Sequence, residues 1–219
     1  MRQVLAILPL VGLLSGCIDI PRGSSRQTVE RSTASMSLGR EARQCLSELG
    51  ATRASFTLIP DRYYGAGCST LNTVRLEGVH SDSSRLTLTN LGPVTCPTAK
   101  TMAAWARFGV DRAARQILGS RLVRIETMGS YNCRNVAGSS RRSAHATANA
   151  IDIAAFVLAD GRRISVLDDW NGGNSAERKF LRVVHDSACK RFGTVLGPEY
   201  NAAHRNHFHL EQKAGNFCR

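Results

Sequence analysis

Five of the six histidines fall between positions 145 and 209, and three of them lie inside the string His204-Arg205-Asn206-His207-Phe208-His209. Clustered imidazole with a carboxylate nearby is first of all the chemistry of a bound transition metal. The carboxylate is Asp152, set in the otherwise apolar run Ala150-Ile151-Asp152-Ile153-Ala154-Ala155-Phe156. An ionised carboxylate in such a strand costs several kcal/mol unless it is paired or metal-bound, so something must hold its charge. Two histidines and one aspartate make three zinc ligands and leave the fourth position open for water, which is the catalytic arrangement rather than the closed structural one. Spacing alone leaves a second reading open, in which Asp152 pairs with an arginine and the histidines line a strand edge.

These residues need a scaffold to bring them together. His207 and His209, two apart on a short strand His207–Glu211, project from one face, with Phe208 turned to the core. His145 ends a polar loop (129–147) and can fold back over the start of the Asp152 strand, which continues to Leu158 and can pair with residues 163–167 across the turn 159–162. A helix opens at Pro97, carries Met102, Ala103, Trp105, Ala106, Val110 and Ile117 on one face, and ends at Gly119. Ser175 caps a second helix running to Phe192, with Phe180, Leu181, Val184 and Ala188 inward. Residues 41–49 form a short helix with Cys45. Strand fragments appear at 56–59, 74–76, 86–88 and 122–128. Trp105 and Trp170 read as core or pocket-wall residues, Asp168-Asp169 as a turn and His185 as a core histidine. His204 reads either as a partner of the metal site or as a loop residue. The pattern predicts an α+β fold, a single disulfide-bonded domain with a mostly antiparallel sheet and flanking helices around a zinc site.

The N-terminus, MRQVLAILPLVGLLSGC, has one charge, a short apolar stretch and then Leu14-Ser15-Gly16-Cys17. That pattern is a lipoprotein signal: residues 1–16 as the signal peptide, Cys17 as the lipidated residue, residues 18–40 as a flexible tether rich in Ser, Arg, Thr and Gly, and residues 41–219 as the globular domain. With Cys17 set aside, six of the seven cysteines remain: Cys45, Cys68, Cys96, Cys133, Cys189 and Cys218. An even number in an oxidising compartment predicts three disulfides, whose pairing the sequence does not choose. No C-x-x-C occurs, which argues against a thiolate zinc site. The chain is expected to face the periplasm, anchored by lipid to a membrane, the outer one rather than the inner. A formal net charge of +12 over 219 residues implies an anionic surface in its working life. The location excludes nucleic acid as that partner.

The motif Ser143-x-His145-x4-Ala150-x-Asp152 with His207-x-His209 resembles the zinc peptidoglycan peptidases, which include D-alanyl-D-alanine carboxypeptidases and murein endopeptidases. The whole of residues 41–219 is similar to the bacterial extensin-like C-terminal domain family, through Gly129-Ser130-Tyr131-Asn132-Cys133-Arg134, Asn149-Ala150-Ile151-Asp152, Leu196-Gly197-Pro198, Tyr200-Asn201, the histidine cluster and the terminal Cys218-Arg219. The resemblance implies that His145, Asp152 and His209 bind Zn2+ and that His207 is the general base or stabilises the transition state. It implies that Arg134, with Tyr131 beside it, binds substrate, and that Ser143 holds the loop. Two positions depart from the pattern: Ala148 stands where glycine is usual, and alanine resists positive φ, and Ala144 stands where an acidic residue is expected. The function so implied is a lipid-anchored zinc metallopeptidase acting, as a monomer, on the peptides of peptidoglycan. The alternative is a non-catalytic wall-binding lipoprotein that keeps the zinc-site scaffold.

Overall fold

The computed structural model describes residues 39–212 and 215–219. The signal peptide, Cys17 and the tether through residue 38 lie outside the described residues. The architecture is α+β. Helix α1 (Arg40–Ala51) leads into strands β1 (Ser55–Leu58), β2 (Arg62–Gly65), β3 (Cys68–Thr70), β4 (Thr73–His80), β5 (Arg85–Thr89) and β6 (Val94–Thr95). Helix α2 (Cys96–Ala104) follows and continues as wider π-type turns over Trp105–Asp111 and Ala114–Leu118. Then come β7 (Leu122–Gly129), β8 (Ala150–Leu158), β9 (Arg163–Ser165), α3 (Val166–Asp169), α4 (Ser175–Cys189), β10 (Thr194–Leu196), β11 (Phe208–Glu211) and β12 (Phe217–Cys218).

One large sheet runs β1-β4-β5-β7-β8-β11-β10-β12, with β6 added to β4 and β9 to β8, and β2 and β3 form a separate hairpin. The pairings are antiparallel except β5 with β7 and β10 with β12. The first exception has a simple cause: α2 carries the chain from one end of the sheet back to the other between β5 and β7, the crossover that a parallel pair requires. Strand β8 is central. It pairs β7 on one side and shares its other side between β11 and β9.

The core lies between the sheet and the helices. Ile151 and Ile153 of β8 and Phe208 and Leu210 of β11 are fully buried with Trp105, Phe180, Leu181 and Val184. Phe208 packs edge-on to Trp170 with ring centroids 5.5 Å apart. Register shifts between β7 and β8 near Ala154, a bulge that moves the inward set from Ile151 and Ile153 to Phe156 and Leu158. Because side chains alternate, Asp152 and His209 are delivered to the sheet face that the helices do not cover.

Several local expectations need correction. Helix α4 is capped by Asn174, not Ser175: its side chain accepts from Ala176 and Glu177 backbone N–H groups, and Glu177 returns the bond to the Asn174 N–H. That reciprocal pair uses two donors that a serine one residue later leaves bare. The helix stops at Cys189, and Phe192 instead turns inward, 6.4 Å from Trp105. In α2 the buried residue near the end is Leu118, with Ile117 only partly covered. The π-type turns hold more residues per turn than the α-helical period assumes, so the inward face slips along the sequence. Asp168-Asp169 is not a turn but the end of the one-turn helix α3, with Asp169 accepting from the Ser165 N–H at 2.7 Å. Trp105, Trp170 and His185 are buried as expected.

The six cysteines form three disulfides: Cys45–Cys96, Cys68–Cys133 and Cys189–Cys218. The first ties α1 to the start of α2, across a separation of 51 residues. Replacing both its cysteines by alanine should cost about 2–5 kcal/mol, because the unfolded chain regains the closed loop's freedom. A drop in denaturant midpoint at unchanged slope is the measurement, and thiol labelling of the denatured, unreduced wild type should find none of the six free.

Candidate metal centre

Two strands set the floor of the site. His209 of β11 stands directly across from Asp152 of β8, so the two side chains leave the sheet side by side. On the other flank Asp152 faces Gly129, the last residue of β7, which has φ +112°. Glycine tolerates that conformation, and it lets the chain leave the strand into the loop that carries His145. That loop ends in a single 3-10 turn, Ala144–Thr147, with the Ser143 hydroxyl accepting from the His145 N–H at 3.3 Å. Ala148 closes the turn in the left-handed conformation, φ +54°, although its methyl is fully buried. The alanine where the resemblance has glycine thus adopts the glycine-like backbone, at a cost of about 1–2 kcal/mol.

Three donor groups converge above this floor. Asp152 Oδ1 lies 2.9 Å from His209 Nδ1, and Asp152 Oδ2 lies 3.2 Å from His145 Nε2. His145 Nε2 and His209 Nδ1 are 3.1 Å apart. Zinc bonds of roughly 2.0–2.1 Å in a tetrahedron separate the ligand atoms by about 3.3 Å. Two imidazole nitrogens and a carboxylate, with one donor atom from each within 4.8 Å of the others, could close on a zinc ion with modest adjustment and leave a fourth position open. Each histidine also has an oxygen behind its ring. His145 Nδ1–H donates to the Ser130 carbonyl at 2.8 Å, which turns its Nε2 toward Asp152 and His209. The far nitrogen of His209, Nε2, faces Glu211 Oε2 at 3.7 Å. An outer carboxylate or carbonyl behind a ligating histidine is what orients the ring and raises its basicity.

The charge partners of Asp152 among the described residues are histidines: the two above and His207, whose Nε2 is 3.6 Å from Oδ1. An arginine is not among them, so the partner expected on the non-metal reading is replaced by histidines. Burial raises the Asp152 carboxyl, but the hydrogen bonds from His145 and His209 outweigh it and hold the group well below the ordinary carboxylate range. Burial lowers His209, yet its hydrogen bonds to Asp152 and Glu211 push it up to about 9. The stability that a raised histidine contributes is complete below its ordinary value of 6.5 and is lost as pH climbs through about 9. Chelated protein should therefore lose stability between pH 6.5 and 9, and Asp152→Asn should reduce that dependence. Thermal melts across this range check it, and a flat profile in the chelated wild type would overturn it.

A cavity of about 470 Å³ opens over Asp152 and His209. His207 lines it, with Nδ1 2.8 Å from Asn206 Oδ1. Burial, together with the charges of His209, His145 and Arg134, keeps His207 below its ordinary pKa despite Asp152. His204 lines it too. Its Nδ1 lies 2.7 Å from Asn201 Oδ1, and burial followed by its histidine neighbours lowers it to about 4. Arg134 is on the wall. Tyr131 packs its ring 5.6 Å from Tyr64 and is not among the lining residues. Glu211 was missed by sequence reading, though its signal was present: it stands two residues after His209 and so on the same strand face. A second group of potential ligands, His185, Cys189 and Cys218, offers no thiolate, because its two cysteines are joined to each other.

No curated protein and no solved structure matches the chain. The family model described as the extensin-like protein C-terminus matches residues 43–219, a span that contains every strand and helix above except the first turn of α1, along with all three disulfides and the candidate ligands His145, Asp152 and His209. This chain belongs to the extensin-like C-terminal family.

Proposed function

We propose that the chain is a zinc peptidase of the periplasm, tethered through lipid on Cys17, that cuts peptide bonds in peptidoglycan. One observation carries the reading: the donor atoms of His145, Asp152 and His209 lie within 4.8 Å of one another, and Asp152 and His209 open onto a cavity. Bound there, zinc would supply Lewis acidity, polarising a carbonyl and lowering the pKa of a coordinated water toward ~7. The rest of the chemistry belongs to the chain. His207 carries its Nδ1 proton toward Asn206, so its Nε2 is bare, faces Asp152 Oδ1 at 3.6 Å and can accept a proton from a water held beside the carboxylate. Its lowered pKa keeps it in that neutral, accepting form at pH 7. Arg134 offers guanidinium N–H groups to a substrate carboxylate or carbonyl. The formal charge of +12 suits a polymer whose stem peptides carry free carboxylates, and the Leu14-Ser15-Gly16-Cys17 pattern supports the same reading.

Purified protein should release shortened peptides from muropeptides, lose that activity to a chelator and regain it with zinc. Protein that holds zinc and binds muropeptides, yet cleaves none across metal and pH conditions, would instead be a wall-binding lipoprotein. Mass spectrometry of the N-terminal peptide tests the acylation of Cys17 separately.

A further inference from the structure

The segment between Cys133 and His145 is a braced arm over the cavity. Asn135 and Arg142 form an antiparallel bridge. The Val136 N–H donates to the Arg141 carbonyl at 2.9 Å, and the Ser143 N–H to the Arg134 carbonyl at 3.1 Å. Side chains alternate along such a pair. One set, Arg134, Val136, Arg141 and Ser143, lines the cavity. The other set turns outward, and there Arg142 Nε donates to the Ala66 carbonyl at 2.6 Å, in the turn between β2 and β3. The Cys68–Cys133 disulfide fastens the same hairpin to the arm's base. The arm is thus held from behind on one hairpin, by a covalent bond and by a guanidinium.

Two cations on its inner side have no acidic partner among the described residues. Arg134 donates only to the neighbouring Asn135 carbonyl, at 3.3 Å. The acidic groups that line the same cavity, Asp152 and Glu211, are both engaged with histidines. Arg134 is opposite Ser143 in the bridge register and Arg141 is two residues before Ser143, so the two arginines are diagonal neighbours, about 7–8 Å apart at the backbone. At that spacing two guanidinium forks can each take a carboxylate without competing for one. The facing wall is apolar and aromatic, with Leu196, Tyr200 and Phe217.

We infer that Arg134 and Arg141 form a two-guanidinium subsite that takes a peptide bearing two carboxylates close together, on one residue or on adjacent ones. The inference rests on reading the cavity as a peptide site but needs no turnover. Arg141 is the new element, since Arg134 alone can hold only one such group in a fork.

The test is equilibrium binding of a fluorescently labelled tetrapeptide ending in glutamate, read by anisotropy at physiological salt. Four forms are compared: the diacid, the side-chain amide, the C-terminal amide and the diamide. Wild type should bind the diacid roughly 3–10-fold more tightly than either monoamide, the modest worth of an exposed but bidentate pair. Arg141→Gln should lose that factor on the diacid and no longer distinguish it from one of the monoamides. Arg75→Gln removes a charge from β4, three strands from β8 in the sheet order, and should bind as wild type does. Equal binding of diacid and diamide by wild type overturns the inference. So does a preference that survives in Arg141→Gln, or one that falls equally in Arg75→Gln, which would be mere net charge. Zinc content and muropeptide cleavage, measured on the same preparations, judge the peptidase reading independently.

Discussion

Asp152→Ala should yield a folded protein that no longer retains zinc. This carboxylate touches every other group of the centre: His145 at 3.2 Å, His209 at 2.9 Å and His207 at 3.6 Å. Without it a divalent ion would meet two imidazoles and no carboxylate ligand in a largely buried place, and much of the desolvation cost would stand uncompensated. Disturbing a group merely behind a ligand costs about 10–100-fold in metal affinity, so removing this ligand should cost at least ~100-fold. The fold should persist. Asp152 leaves the sheet on the side away from the helices, and the core residues beside it, Ile151 and Ile153, are untouched. His145 keeps its bond to the Ser130 carbonyl. Elemental analysis after dialysis against a weak chelator should give about one zinc per wild-type chain and background for the variant. His209→Ala should behave likewise. Full occupancy in both would remove these residues from the ligand set.

The cluster of Asp152 with His209 was legible in the sequence for a local reason. A lone carboxylate in an apolar strand demands a partner, and alternation along the expected strand put His209 on a face with His207, although β11 begins only at Phe208. What could not be read locally was the pairing of His209 opposite Asp152, since strands 57 residues apart meet only through the topology of the whole sheet. The same limit explains β6, β10 and β12. Each is two or three residues long, and β12 has its place because Cys218 is bonded to Cys189 at the end of α4. Helices α2 and α4 were legible because their apolar periodicity is long. Their errors were errors of phase and ending, set by π-type turns and by which residue supplies the cap. The disulfide pairing carried no sequence signal at all. The arm over the cavity reads as a polar loop because its order comes from Cys68 and Ala66, far away in the chain. Its second arginine therefore had no role until the register of the bridge was known.

His207→Ala should keep its zinc and its fold while losing muropeptide hydrolysis by roughly 10²–10⁴-fold, the usual worth of a positioned acid or base. His207 lines the cavity with Asp152 and His209 but is not one of the tight group whose donor atoms lie within 4.8 Å of one another. It stands just before β11, and its Nδ1 is turned to Asn206, so the nitrogen left for chemistry is Nε2. The alanine variant removes that nitrogen without disturbing the His145–Asp152–His209 contacts or the core position of Phe208. If His207 works by accepting a proton, the loss should fall on kcat, with substrate binding through the arginines little changed. His207→Gln, which retains hydrogen-bonding capacity but has no basic nitrogen, should be nearly as inactive as alanine. A glutamine variant close to wild type would assign the residue to hydrogen bonding of the transition state instead of proton transfer. Equal activity in wild type and alanine variant would take the base away from His207 altogether. His204 would then be the next group to replace, since it lines the same cavity with its ring centroid 5.1 Å from that of His207. Its Nδ1 faces an oxygen of Asn201 that already accepts from the Ala203 N–H, which fixes the proton on Nδ1 and leaves Nε2 as the accepting atom.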